Sequence, residues 1–254
     1  NAQLPSARLW SVFPLGGSPG NSLEVKVRGT DLEVGYGLFF SHPGITAEAI
    51  YLPDNPFRKK NAPVPNQFLV HIDSSVPEGR YEIRAFGALG ISNPRLFMVS
   101  RLPRQADVKA GENFESAGIL TIDSLGDAVA EKLKIHHYRF DAKKGDRLII
   151  QCWAERIDSK MDATLILADS NEREMMRSDN VNGLDPLIDF TVPISDSYCL
   201  KVFDTLFQGG EDYFYRISIH SGPYVDFIHP PGPTESQAVQ SDLFGRNLNG
   251  SQRT

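Results

Sequence analysis

Five aspartates crowd one stretch of the sequence: Asp158, Asp162, Asp169, Asp179 and Asp185. Calcium takes six to eight oxygen ligands, so such a group could converge on a cation, with Asp158, Asp162 and Asp179 as the candidate ligands. Solvated turns and strand caps account for the same acids equally well. His136 and His137 are adjacent. Neighbours on a strand point to opposite faces, so this pair is expected to split, one packed and one exposed, rather than hold a transition metal. No G-x-S-x-G, H-E-x-x-H, glycine-rich phosphate loop or spaced Cys/His set occurs. The chain therefore reads as a non-enzyme without a cofactor. A triad assembled across a fold leaves no local motif, and His42 and His71 do sit among many Ser and Asp residues. The remaining candidates are aromatic: Trp10, Tyr36, Phe39-Phe40, Trp153, Phe203, Phe207 and Tyr213-Phe214-Tyr215. Trp153 and Phe207 are singled out, either as a stacking platform for a sugar or peptide or as an interdomain contact.

The elements that must position these residues are short strands. In Leu23-Glu24-Val25-Lys26-Val27-Arg28 apolar and charged residues alternate, the period of a half-buried strand. Further strands are expected over 37–41, 45–51, 67–72, 79–86 and 95–99, with Pro77-Glu78-Gly79 as a tight turn. A second set covers 132–141, 147–155, 163–169, 187–191, 198–204 and 213–220, joined by turns such as Lys143-Lys144-Gly145-Asp146 and Ser195-Asp196-Ser197. One short helical turn is placed within 118–129. Both sets imply β-sandwiches, and the polar stretch 102–112 reads as a linker. Tyr198, Leu200 and Val202 are expected in the core of the second sandwich.

Composition agrees. The 254 residues are 41% hydrophobic and 23% charged, with 26 basic against 32 acidic side chains and a net charge of −6. That is ordinary globular usage, and it disfavours a nucleic acid or an anionic membrane as partner. No apolar run reaches the roughly 18 residues of a membrane span, so no membrane insertion is expected. Cys152 shares a strand face with Leu148 and Ile150, whereas Cys199 shares the other kind of face with Lys201. Two free thiols are expected. The start Asn1-Ala2-Gln3-Leu4-Pro5 reads as a residue of signal-peptide cleavage and, equally, as an arbitrary boundary.

A gapless shift of 216 lays Pro230 on Pro14, Gly232 on Gly16, Gly245 on Gly29 and Leu248 on Leu32. Residues 223–254 thus read as the truncated start of a second module of the first kind, and the chain as a fragment of a longer polypeptide. About 30 residues do not bury a sandwich core alone.

From Glu112 to His220 the sequence resembles the bacterial pre-peptidase C-terminal domain family. The likeness lies in His137-Tyr138-Arg139-Phe140-Asp141-Ala142-Lys143-Lys144-Gly145-Asp146-Arg147-Leu148, in Asp162-Ala163-Thr164-Leu165-Ile166-Leu167-Ala168-Asp169, and in the strands from Tyr198 and Tyr213. That resemblance implies a jelly-roll-like sandwich appended to secreted peptidases and other exported proteins. Related collagen-binding domains hold calcium between an acidic leading segment and an Asp cluster; here the matching positions are Glu112-Asn113-Phe114-Glu115 and His136-His137, and imidazole suits calcium poorly. The first block is similar to the immunoglobulin-like IPT/TIG modules at Val12-Phe13-Pro14-Leu15-Gly16-Gly17, Val25–Leu32 and Val76–Ala85.

The expectation is therefore an all-β chain: an immunoglobulin-like sandwich over 1–101, a linker over 102–112, a jelly-roll-like sandwich over 113–222, and the start of a third over 223–254. Its expected role is structural or adhesive in a secreted, periplasmic or cell-surface bacterial protein. The alternative is an accessory domain that binds carbohydrate or protein and localises a hydrolase. Expected partners are neighbouring domains and a protein or glycan at the cell surface.

Overall fold

Alternation along each strand decides which side chains meet. The computed structural model describes residues 6–32, 37–53, 63–106, 108–181, 183–231 and 241–248; Asn1–Pro5, Tyr36 and Gly232 lie outside them. In β3 (Ser22–Thr30), Val25 and Val27 are buried while Glu24 and Lys26 are exposed. That strand lies in a sheet between β1 (Arg8–Phe13) and β6 (Pro63–Ile72), with β5 (Ile45–Tyr51) at the edge. The facing sheet runs β2 (Gly16–Gly17), β9 (Arg95–Val99), β7 (Gly79–Gly87) and β4 (Gly37–Phe40), with β8 (Gly90–Ile91) on β7. Val25, Val27, Val70, Ile83 and Phe97 fill the space between.

The second sandwich has one sheet of β10 (Gly118–Ile119), β12 (His136–Ala142), β17 (Asp196–Asp204), β14 (Ala163–Ala168) and β15 (Glu174–Ser178). The other contains β11 (Ser124–Val129), β18 (Phe214–His220), β13 (Arg147–Trp153) and β16 (Leu187–Thr191). Even-numbered residues of β12, β13 and β17 and odd-numbered residues of β14 and β18 point inward, so Tyr138, Ile150, Cys152, Leu165, Tyr215 and Ile217 share one core with Tyr198, Leu200 and Val202. The protein is thus all-β, two consecutive sandwiches in one chain. Both cysteines are free. Cys199 does lie on the face away from the core, yet it is buried between Arg139 and Ala168 of the flanking strands.

Three details differ from the sequence expectation. Residues 118–129 contain strands β10 and β11 and no helix; among the described residues the one helical turn is a 3-10 turn at Glu155–Ile157. Ser124–Val129 pairs along β18 throughout, so the partner strand overrides local propensity. His136 and His137 do point to opposite faces, but both are buried. The backbone of Gly111 pairs with that of His137 at the edge of β12, and from there the following segment brings Phe114 onto Arg139 on the outer face. Residues 102–112 are likewise tied to the second sandwich: Gln105 N–H donates to the Leu125 carbonyl, Leu125 N–H to that of Pro103, and the Gln105 carboxamide oxygen accepts from Thr121 N–H and Ser124 Oγ.

Beyond β18, strands β19 (Tyr224–His229) and β20 (Asp242–Arg246) form a two-stranded antiparallel sheet. Its partner pairs, Tyr224 with Arg246, Val225 with Gly245, Phe227 with Phe244, Ile228 with Leu243 and His229 with Asp242, lie 216 residues beyond those of β1 with β3. The register shift between Val225 and Phe227 falls where β1 has one between Leu9 and Ser11. The peptide bonds Phe13–Pro14 and His229–Pro230 are cis.

Candidate binding cleft and seam between the sandwiches

The outer face of the β11-β18-β13-β16 sheet carries a cross-strand row that alternation alone puts there. Asp127 stands opposite Arg216, and Arg216 opposite Trp153. The Asp127 carboxylate is fully buried and takes Nε and Nη2 of Arg216 at 2.6 and 2.9 Å. Its Oδ2 also accepts the backbone N–H of Leu15, from the first sandwich, at 3.1 Å. Around that bond Leu15, Ile157 and Phe214 form a small buried cluster, with Phe13, Met98, Val129 and Trp153 packed against it. This is the seam. A buried ion pair with its remaining valences satisfied is costly to break from one side, and here one of those valences belongs to the other sandwich.

Asp185 builds the turn that places Ile157 in the seam. It is completely buried and accepts from Ala154, Glu155 and Arg156 N–H and from Arg156 Nε, the last at 2.7 Å. The Arg156 guanidinium then lies 4.1 Å over the Trp153 ring, a cation–π contact. Trp153 is half-buried in this arrangement. Phe207 lies elsewhere: it stacks on Phe203 at 5.2 Å on the outer face of the opposite sheet and is 37% exposed. The two do not form one platform.

The candidate cation ligands do not converge, and no group of three or more His, Cys, Asp or Glu suited to a metal occurs among the described residues. Asp158 ends the 3-10 turn in the left-handed region with φ 67°. Asp162 donates its N–H to Asp204 Oδ2. Asp179 accepts from Asn180 N–H, and Asp169 from Asn171 and Arg173 N–H. Turn capping accounts for each of these contacts. In the segment 112–115, Phe114 lies under Arg139.

The histidines are held structurally. His136 Nδ1 meets Tyr215 Oη at 2.7 Å, and Tyr215 Oη meets Tyr138 Oη at 2.7 Å, a buried polar chain inside the second core. Burial pushes His136 and His137 below the ordinary imidazole pKa and raises both tyrosines. His42 packs edge-on against Tyr81. A Ser–His–carboxylate row does form across β3, β6 and β5: Ser22 Oγ lies 2.7 Å from His71 Nδ1, and His71 Nε2 lies 3.3 Å from Glu48 Oε1. It stands on an open sheet face, with the His71 and Glu48 side chains 43% and 67% exposed. Water competes there for each bond, and catalysis of acyl transfer requires donors preorganised in a water-poor site. The row acts as cross-strand bonding.

Beside the seam the sandwiches leave an open cleft of about 580 Å³. From the first come Arg8, Trp10 and Arg95; from the second come Asp158, Lys160 and the loop Gly209–Phe214. Trp10 is 41% exposed, and Arg95 Nε donates to its carbonyl at 2.7 Å. Lys160 pairs with Asp212 at 2.6 Å, and Arg28 pairs with Glu211 across the gap. The lining has an aromatic face with charges of both signs, and it carries no serine, threonine, cysteine or histidine. Such a surface suits recognition. Sequence reasoning named Trp10 and Asp158 but missed the basic half of the cleft and the seam pair. The signal for the pair was an Asp and an Arg placed singly within the apolar runs Leu125–Val129 and Phe214–Ile219.

No family model and no curated protein matches the chain. Among solved structures it is similar to the pre-peptidase C-terminal domain of a collagenase from Bacillus anthracis, at 14% identity over 40% of this chain and 91% of that one, with a TM-score of 0.33. It is also similar to SGBP-B of the mixed-linkage glucan utilization locus of Bacteroides ovatus, at 13% identity over 92% of this chain and 51% of that one, TM-score 0.27. Carbohydrate-binding modules of the β-sandwich superfamily match at 8% identity over 86% of this chain and 97% of that one, TM-score 0.23. At these TM-scores the likenesses carry no argument about what the chain does. No helix among the described residues is long and apolar enough to cross a membrane.

Proposed function

We propose that the chain is a non-catalytic pair of sandwich modules, residues 1–101 and 113–222 with 102–112 between them, that spaces or presents other parts of an exported bacterial protein. The observation that carries this reading is the seam. A spacer needs its two bodies in a fixed relation, and buried Leu15, Ile157 and Phe214, together with the Leu15 N–H on Asp127, supply one. Relative motion would expose that apolar surface and leave an acceptor of a buried ion pair without its donor. Export rests on the resemblance of residues 112–220 to the pre-peptidase C-terminal family, and the role at a cell surface follows from it.

The test is a distance measurement between spin labels at Glu24→Cys and Glu174→Cys, both exposed strand positions, with the two native thiols buried. A single narrow distance is expected in the parent, and a broad distribution in Leu15→Asp. A broad distribution in the parent overturns the reading.

The cleft favours a second reading, an accessory module that binds glycan or protein and localises a hydrolase. Exposed Trp10 beside Arg8 and Arg95 offers stacking and charge together. Neutral and acidic oligosaccharides titrated into a Trp153→Phe background should change Trp10 fluorescence. No change with either class removes this reading.

A further inference from the structure

We infer that β19 and β20 are the first strand pair of a second sandwich of the first kind, whose inner face is the seat for strands with the chemistry of β4, β7 and β9, while strands like β6 and β5 continue their sheet. Sequence similarity between two short β segments carries little by itself, because β-rich sequences resemble one another. Coincidence of register is more demanding, because a slip of one residue turns every side chain to the other face. Here five partner pairs and the irregularity between them recur at one constant offset. Two backbone constraints recur with them. A Cβ at Gly29 would collide with the Arg8 carbonyl oxygen and one at Gly245 with that of Tyr224, so both positions admit only glycine. Asp31 and Asn247 both take the left-handed region, at φ 56° and 53°.

In the first copy, the inward residues of this pair are core: Leu9 and Val27 are 0% exposed and Val12 is 3%. Their counterparts are Val225, Leu243 and Ile228, equally apolar, while Val25, core at 1%, falls on Ser241 just before β20; Val225 is 44% and Ile228 46% exposed. A two-stranded sheet gives such a face nothing to pack against, and exposed contiguous apolar faces mark interaction surfaces. The occupant follows from the first copy, where Phe40, Ile83 and Phe97 of the facing sheet cover the same face, and Phe68 and Val70 of β6 continue it beside β3.

The pair is also anchored for this purpose. Asn247 Nδ2 donates to the carbonyls of Arg147 and Ser221 at 2.9 and 3.0 Å. Arg246 reaches Asp189, which Arg147 already grips in a bidentate pair. The pair is therefore fixed to the second sandwich through Arg246 and Asn247, while Val225 and Ile228 of its apolar face stay exposed.

A chimera tests this directly: the full chain to Leu248, followed by a second copy of residues 33–101. Hydrogen exchange of the β19 and β20 amides should slow at least about a hundredfold relative to the parent, since a packed sandwich opens far less often than an isolated pair. A second chimera carrying V225L, I228V, S241V and L243V restores the first copy's inward side chains Leu9, Val12, Val25 and Val27, in case the larger Ile228 or Leu243 overfills the graft or Ser241 underfills it. Protection in either chimera supports the seat. Unchanged exchange in both overturns it. So does a concentration-dependent dimer of the parent chain that protects the same amides, because the face would then belong to a second copy.

Discussion

Asp127 shows how one carboxylate can serve two structural tasks. It neutralises Arg216, whose side chain is 3% exposed, and it receives a backbone N–H from the other sandwich. Asp127→Ala leaves a buried guanidinium without its counter-ion, and unfolding in denaturant should show a loss of about 3–5 kcal/mol; a loss below about 1 kcal/mol would mean that water replaces the carboxylate. His136 and His137 set a pH dependence. Burial lowers both below the ordinary value of 6.5, with Glu131 opposing it at His136 and Lys134 adding to it; His220 is lowered the same way. The folded chain thus binds fewer protons than the unfolded one, so this contribution is intact above pH 6.5 and is lost as pH falls below it. The denaturation midpoint should drop from pH 7.5 to 5.5, and drop less in H136Q/H137Q. The two thiols behave as a third probe: burial raises Cys152 well above the ordinary range and pushes Cys199 up to about 11. Without reductant, a thiol reagent at pH 8 should label neither in the native chain and both in denaturant.

At the scale of elements, strand alternation places the core and partner strands decide the rest. Tyr198 is 2% exposed, stacks on Phe140 and meets Phe190 edge-on. Tyr198→Ala should cost about 3 kcal/mol or more through the cavity it leaves, measured as a lower denaturation midpoint of the second sandwich. The same alternation correctly put Tyr198, Leu200 and Val202 inward and Trp153 outward. It failed for the histidine pair, where His137 sits on the outer face and is nonetheless buried, because period-2 reasoning treats every outer face as solvent. The segment that pairs with the edge of β12 through Gly111 and lays Phe114 on Arg139 has no period that announces where it lies.

For the whole molecule, the seam makes two sandwiches one mechanical unit. Phe214, from the second sandwich, is 3% exposed and packs with Leu15 of the first. Phe214→Ala should lower stability by about 3–5 kcal/mol and split a single thermal transition into two, read by calorimetry; a parent that already shows two well-separated transitions would contradict the coupling. The cleft exists only as a product of this docking, since Trp10 and Arg95 come from the first sandwich and Lys160 and Asp212 from the second.

What the sequence determined by itself was the local part: the positions of the central strands, their inward sets, the free thiols, and the 216-residue offset of the last segment. Those follow from side-chain period and backbone constraints, which act between near neighbours. The tertiary structure alone decided which outer faces meet. Whether Trp153 stacks on a ligand or packs in a seam, whether five aspartates gather or cap separate turns, and whether Asp127 finds Arg216 and Leu15 depend on contacts across 89 and 112 residues. No local pattern carries that information, because it is fixed by how two finished sandwiches pack.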